Sequence, residues 1–265
     1  MGDITLRAIE TLKSCDGVVC EDSRVSGGLL NRLGFKKPLT PYHDHNADEM
    51  RPKLLARLLA GEKLALISDA GTPLVSDPGC KLVREALAAD ISVTALPGAS
   101  ALLAALVLSG LPSDRFLFAG FLPAKQSARR KVIDELKSVA ATLIFYEAPH
   151  RLAETLDDLL LGLGDRSACV ARELTKLFEE VRRGGLGELA GHYNQSGAPK
   201  GEVVVVIAPP DLESSELIDI EALLHTALET MSLRDAAESV AKASGRPKRE
   251  VYNLALSLGK KNDQL

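Results

Sequence analysis

The chain has 265 residues, 46% of them hydrophobic, enough to bury a sizeable core and on length alone to favour two domains. Its 32 basic and 36 acidic residues leave a net charge of −4, which excludes an indiscriminate nucleic-acid coat protein. The opening MGDITLRAIE carries an early acid and no apolar core, unlike a signal peptide, and no apolar run reaches membrane-spanning length.

Helical spacing covers Ile4 to Cys15, with Asp3 or Thr5 as the cap, and a short strand follows at Gly17 to Cys20. Asp48 to Leu59 reads as a helix, Leu64 to Ile67 as a strand, Lys81 to Ala89 as a helix and Ser92 to Leu96 as a strand. A very apolar helix then spans Ala99 to Leu108. These strands are apolar without alternation, as in parallel strands buried on both faces, so residues 1–112 are expected to form an N-terminal α/β domain. Ser109 to Asp114 is the best linker. Beyond it come strands at Phe116–Ala119, Ala141–Tyr146, Ala168–Arg172 and Gly201–Ala208, with helices at Ala128–Val139 and Arg151–Leu161. They predict a second α/β domain over 113–210. Residues 211–265 are expected to be a helical tail, helix-turn-helix-like, broken at Gly245.

The most informative stretch is Leu64 to Gly79, LALISDAGTPLVSDPG. A buried strand running into a loop of Asp, Gly, Thr and Pro stands where α/β proteins grip small ligands. The loop has no GxxxxGK[ST] and no GxGxxG, so its ligand should be less anionic than a nucleoside triphosphate. Four further clusters follow predicted strands or lie in loops. Cys20-Glu21-Asp22-Ser23-Arg24 reads either as an acid/base group or as a helix cap with a surface ion pair. Pro41-Tyr42-His43-Asp44-His45-Asn46 reads as a polar substrate loop or a simple solvated loop; a metal reading lacks a third ligand at a usual spacing. Leu96-Pro97-Gly98-Ala99-Ser100-Ala101 lets backbone approach a ligand, or simply packs a helix tightly on a sheet. Phe145 to Arg151 puts an aromatic, an acid, a His and an Arg at one sheet edge. The four cysteines, Cys15, Cys20, Cys80 and Cys169, have no metal-like spacing and are expected to be reduced, buried thiols in a cytoplasmic protein.

Taken in order, DITLRAIETL, CEDSR, YHDHN, LISDAGTPLVSDPG, LPGASALLAAL, FAGFLP, FYEAPHRL, RELTKLFEE, GEVVVVI and GRPKREVYNLALSL resemble the bacterial ribosomal RNA small-subunit methyltransferase I family, in the tetrapyrrole-methylase superfamily. The resemblance runs over essentially the whole chain. It implies two α/β domains with S-adenosylmethionine in the cleft between them, a homodimer, and methylation of the ribose 2′-hydroxyl of a cytidine in the decoding region of 16S rRNA or the small subunit. It implies that Gly71, Thr72 and Val75 contact the methionine part of the cofactor, with Asp69 and Ala70 shaping the loop. Ser100 and Ala101 are expected to touch the same ligand, and Tyr146, Ala208 and Pro209 to lie near its adenosine. Family members open with an apolar strand and a Pro-x-Gly-Asn-Leu loop; this chain begins at the following helix, so a strand of the first sheet is expected to be missing.

For the chemistry, Asp22 and His43 are the candidates to accept the hydroxyl proton, with Glu21 and His45 behind them. Arg24, Lys125, Arg129 and Arg130 are expected to hold RNA phosphates, and no metal is required. Two other readings compete: a methylase of the same superfamily acting on a tetrapyrrole or a protein, and a ligand-sensing regulator whose Arg246, Lys248 and Arg249 bind DNA.

Overall fold

The computed structural model describes residues 2–244 and 246–262. Helix α1 (Leu6–Ser14) starts at Thr5, whose hydroxyl accepts the Ala8 amide at 3.2 Å. Strand β1 (Gly17–Cys20) follows, then α2 (Ser23–Arg32), β2 (Leu39–Pro41), α3 (Ala47–Leu59) and β3 (Leu64–Ile67). The three strands form a parallel sheet in the order β2-β1-β3. Every residue of the central β1 is buried, which is why GVVC shows no polar alternation.

Helix α4 (Cys80–Ala88) opens on Cys80, which is exposed at the helix start whereas the other three thiols are buried as expected; past it, residues 91–100 have no regular structure, so the strand expected at Ser92–Leu96 is absent. Its propensity is adequate, but a strand exists only by pairing. Ser92–Ala95 are exposed and no neighbouring strand bonds to them. Helix α5 (Ala101–Ser109) lies against the second sheet, although it was expected within the first domain; its Leu102, Ala105 and Leu106 join Ile144, Cys169, Val204 and Val206 in one core.

The second sheet comprises β4 (Phe116–Phe121), β5 (Thr142–Glu147), β6 (Ser167–Arg172), β7 (Glu180–Gly185) and β8 (Val203–Ile207), in the order β4-β5-β8-β6-β7. Only β4 and β5 are parallel; β8 runs antiparallel to both neighbours. Alternate valines of β8 face opposite ways. Val204 and Val206 meet α5, whereas Val203 and Val205 meet the layer of α6 (Gln126–Leu136), α7 (Leu152–Leu163) and α8 (Leu186–Ser196). A buried ion pair clamps α6 to α7: Asp158 accepts from Arg129 at 2.7 Å and from Arg130 at 2.7 Å.

Helices α9 (Leu212–Leu228), α10 (Leu233–Ser244) and α11 (Lys248–Asn262) close on their own core of Ile220, Leu224, Ala237, Val240, Val251 and Ala255. Among the described residues no helix is long and apolar enough to cross a membrane.

Candidate active site

The carboxyl ends of β1 and β3 meet through their loops, where the Asp22 amide donates to Asp69 Oδ1 at 3.4 Å. The loop after β3 turns sharply: Gly71 and Gly79 have φ of 74° and 128°, and Leu74 and Ser76 hold φ of 71° and 62° without being glycine. Left-handed backbone at a leucine is strained and persists only where its surroundings hold it. Three side chains do so here. Ser68 Oγ reaches the Ala70 and Gly71 carbonyls at 3.1 and 3.2 Å, Thr72 Oγ1 donates to the Ala99 carbonyl at 3.0 Å, and Val75 packs on the core beneath α5. Gly79 is required twice over, by its φ and because a Cβ there would sit 2.7 Å from Leu66 Cδ2.

Val75, Ala101 and Tyr146, distant in sequence, pack on that same core. Tyr146 stands at the end of β5 with its ring edge-to-face with Phe118 at 4.8 Å and with Phe121 at 5.7 Å, and burial raises its phenol above the ordinary range. Ser100 precedes α5 but makes no side-chain cap bond. The β5 end is locked by Glu147, which is buried and accepts from Thr155 Oγ1 at 2.6 Å and Arg151 Nη2 at 3.2 Å. Beside Gly71 a side chain would meet nothing within 4 Å, so the loop's backbone borders open space.

Alongside lies a cavity of about 310 Å³ lined by Glu21, His43, Asp44, His45, Ser76, Asp77 and Pro78. Burial raises the Glu21 carboxyl above its ordinary range, the carboxylates of Asp69, Asp77 and Asp44 add to the rise, and His43 opposes it. Asp77 is raised in the same way, by burial and then by Asp69 and Glu202 against a hydrogen bond from Ser68. His43 Nδ1 is buried with no hydrogen-bond partner among the described residues, and its ring lies 6.0 Å from that of His45. Among the described residues no group of three or more His, Cys, Asp or Glu side chains is arranged to hold a metal ion. Three lining carboxylates, Glu21, Asp44 and Asp77, with the Asp69 charge acting on the first and last, suit a small organic cation and a proton acceptor, and disfavour a phosphate.

Several expected residues stand elsewhere. Asp22 caps α2 by accepting the Arg24 amide at 2.8 Å and binds the Arg24 guanidinium, whose hydrogen bonds pull the Asp22 carboxyl down to about 2. That carboxylate is a poor base and is absent from the cavity wall, and Arg24 is tied to it. Arg129 is 1% exposed and committed to Asp158, so it cannot reach RNA; Arg130 is half exposed with its Nε on the same carboxylate. Lys125 stays exposed beyond the end of β4, at the start of α6.

Ala208 and Pro209 follow the wrong end of β8. The antiparallel register sets Val204 beside Tyr146 and Ile207 beside Leu143, and Ala208 donates to the Ser167 carbonyl at 2.8 Å, beside the start of β6 and at the opposite end of the strands from Tyr146. The amino end of β8 is the one near the cleft, where the Glu202 charge acts on both Tyr146 and Asp77. Ser76, Asp77 and Glu202 had signals in the sequence, an SDPG corner and a GE before the valines, but nothing there gave the strand's direction.

The family described as tetrapyrrole (corrin/porphyrin) methylases matches residues 1–190, and one described as the RsmI C-terminal HTH domain matches 215–259. A ribosomal RNA small subunit methyltransferase I from Mesorhizobium japonicum is 52% identical, covering 97% of this chain and 88% of that protein. Its counterpart from Halalkalibacterium halodurans is 42% identical, over 95% and 89%. Among solved structures, a diphthine synthase shares the fold with a TM-score of 0.61 at 20% identity, over 78% of this chain and 85% of that one. On these matches the chain belongs to the tetrapyrrole methylase family, in its ribosomal RNA small subunit methyltransferase I branch.

Proposed function

We propose that this chain methylates the ribose 2′-hydroxyl of a cytidine in 16S rRNA, in the decoding region, as a cytoplasmic homodimer using S-adenosylmethionine. The names of the relatives give the substrate class, and the observation that carries the chemistry is the acid-lined cavity beside the strained loop. The residues fit the cofactor: open space flanks the Gly71 backbone, an apolar corner is built by Val75, Ala101 and Tyr146, and carboxylates favour a sulfonium cation. Asp69, Ala70, Gly71, Thr72 and Val75, with Ser100, Ala101 and Tyr146, would hold it. When bound, it supplies a methyl group already activated on sulfur.

A ribose hydroxyl is a weak nucleophile, so holding it in line supplies much of the rate. As its oxygen gains the methyl carbon it must lose a proton. Glu21 is the acceptor, since its raised carboxyl is a better base than the Asp22 carboxylate pinned by Arg24. His43 lies on the same wall and tunes Glu21. Lys125 holds phosphate at the cleft edge.

The test is incubation of the purified chain with undermethylated small subunits and labelled S-adenosylmethionine, with the 16S rRNA then digested and analysed by mass spectrometry. Label in a 2′-O-methylcytidine is expected. Label in a base, or none, overturns the reading.

A further inference from the structure

We propose that the outer face of α11, with the adjoining stripe of α10, docks RNA outside the catalytic cleft, at an unpaired base and its flanking phosphates. The inference rests on the reading of rRNA as the substrate. Charge is divided along the tail: residues 211–231 carry six acids and no Lys or Arg, whereas 232–262 carry seven Lys or Arg and three acids. A polyanion is drawn to the second part and repelled by the first.

The bundle decides which side chains face out. Val251, Leu254, Ala255 and Leu258 of α11 turn into the core shared with α9 and α10. Arg249, Tyr252, Asn253 and Leu256, spaced i, i+3, i+4 and i+7, make the opposite face and are exposed. A guanidinium, a phenol ring and an amide along one helix face form a set that stacks on a base and bonds to its edge. On α10, Arg234, Glu238 and Lys242 form one stripe, and Glu238 pairs with Lys248, which brings that stripe beside the first turn of α11. Arg234, Lys242 and Arg249 make no ion pair among the described residues, so their charge is available to phosphate. A helix-turn-helix that read duplex DNA would give Tyr252 no base to stack on, whereas an RNA loop or bulge does.

The test uses the full chain. Affinity for a decoding-region RNA hairpin is measured by fluorescence anisotropy across a salt series, with a duplex DNA of equal length alongside. Tyr252→Ala should weaken RNA binding roughly tenfold or more, and Tyr252→Phe should keep it, because the ring and not the hydroxyl makes the stack. The Lys242→Ala/Arg249→Ala pair should reduce the dependence of log affinity on log salt by about 0.7 per lost phosphate contact. All variants should bind S-adenosylmethionine as the parent does, which excludes misfolding. Unchanged RNA affinity in Tyr252→Ala and in the charge pair overturns the surface, as does equal or tighter binding of the DNA. A parent that methylates subunits while these variants bind normally loses the surface and keeps the activity. A parent that binds RNA through this face but transfers no methyl group loses the activity alone.

Discussion

Glu21 and Asp22, adjacent at the end of β1, have different partners, and their surroundings pull their acidities apart. Asp22 is spent on the α2 cap and on Arg24, while Glu21 faces the cavity among other carboxylates. Glu21→Gln should therefore cut turnover roughly 10²- to 10⁴-fold, the usual worth of a positioned base, with S-adenosylmethionine affinity unchanged by calorimetry. Asp22→Asn keeps a good capping residue and should leave turnover within a few-fold of the parent. The reverse pattern would return the role of base to Asp22. The pH dependence follows from the sign of the shift. A base works only when ionised, and Glu21 is raised, so the rate should climb with pH through that raised value. Asp77→Asn removes one of the negative charges that raise it and should move the acid limb of the kcat/KM profile to lower pH; a limb that stays put would dissociate Glu21 from the titration. The sequence cluster CEDSR pointed to this corner and left open whether it was a cap or an acid/base pair. Asp22 is the cap with the ion pair, and Glu21, one residue before it, lines the cavity, because a side chain's direction at a strand end is set by the fold and not by spacing.

At the scale of elements, strand ends and strand neighbours were the hardest things to read from sequence. GEVVVVI was legible as a fully buried strand, since both its faces are apolar, but the same pattern serves a parallel or an antiparallel partner. The antiparallel choice is what carries Ala208 away from the cleft and Glu202 toward it. SVTAL has strand propensity and lacks a partner, which no local pattern reveals. Basic residues in KQSARRK likewise looked uniform, yet helical periodicity turns Arg129 inward onto Asp158 of α7. Asp158→Ala leaves that guanidinium buried with only Glu154 at 3.6 Å and the Ala124 carbonyl at 3.3 Å as partners, and should lower the free energy of unfolding by about 3–5 kcal/mol in denaturant titrations. Burial pushes the Asp158 carboxyl up, but the hydrogen bonds from Arg130 and Arg129 overcome it and hold it below the ordinary range. The stability it contributes is thus present above the unfolded carboxylate value and lost as pH falls through the lower folded one. A parent and variant with the same midpoint at neutral pH would mean that the pair is not what joins α6 to α7.

For the whole molecule, a net charge of −4 conceals a separation into an acidic cleft, a basic α10–α11 region and an apolar outer surface on α5. The inward face of α5 covers the second sheet, yet Leu103 and Val107, one turn apart, are 48% and 79% exposed. Near the amino end of α5, Leu174 joins the same core, and the loop it opens presents Leu177 and Phe178 at 89% and 67% exposure. That loop is held stiffly: Glu173 and Thr175 have positive φ, and Lys176 bridges Glu173 and Glu202 at 2.9 and 2.8 Å. A rigid apolar rim beside an apolar helix is expensive to leave in water and suits a self-complementary contact about a two-fold axis. In the proposed homodimer this face is the expected contact. Val107→Glu places a charge at its centre and should convert the dimer to monomer in sedimentation velocity. Lys53→Glu, on the solvent face of α3, is the matched control and should leave the dimer intact. A Val107→Glu chain that still sediments as a dimer puts the contact elsewhere, and a monomeric parent removes the dimer from the proposal. If the variant dissociates and also loses affinity for S-adenosylmethionine, the cleft needs the second copy to keep its Tyr146 wall in place.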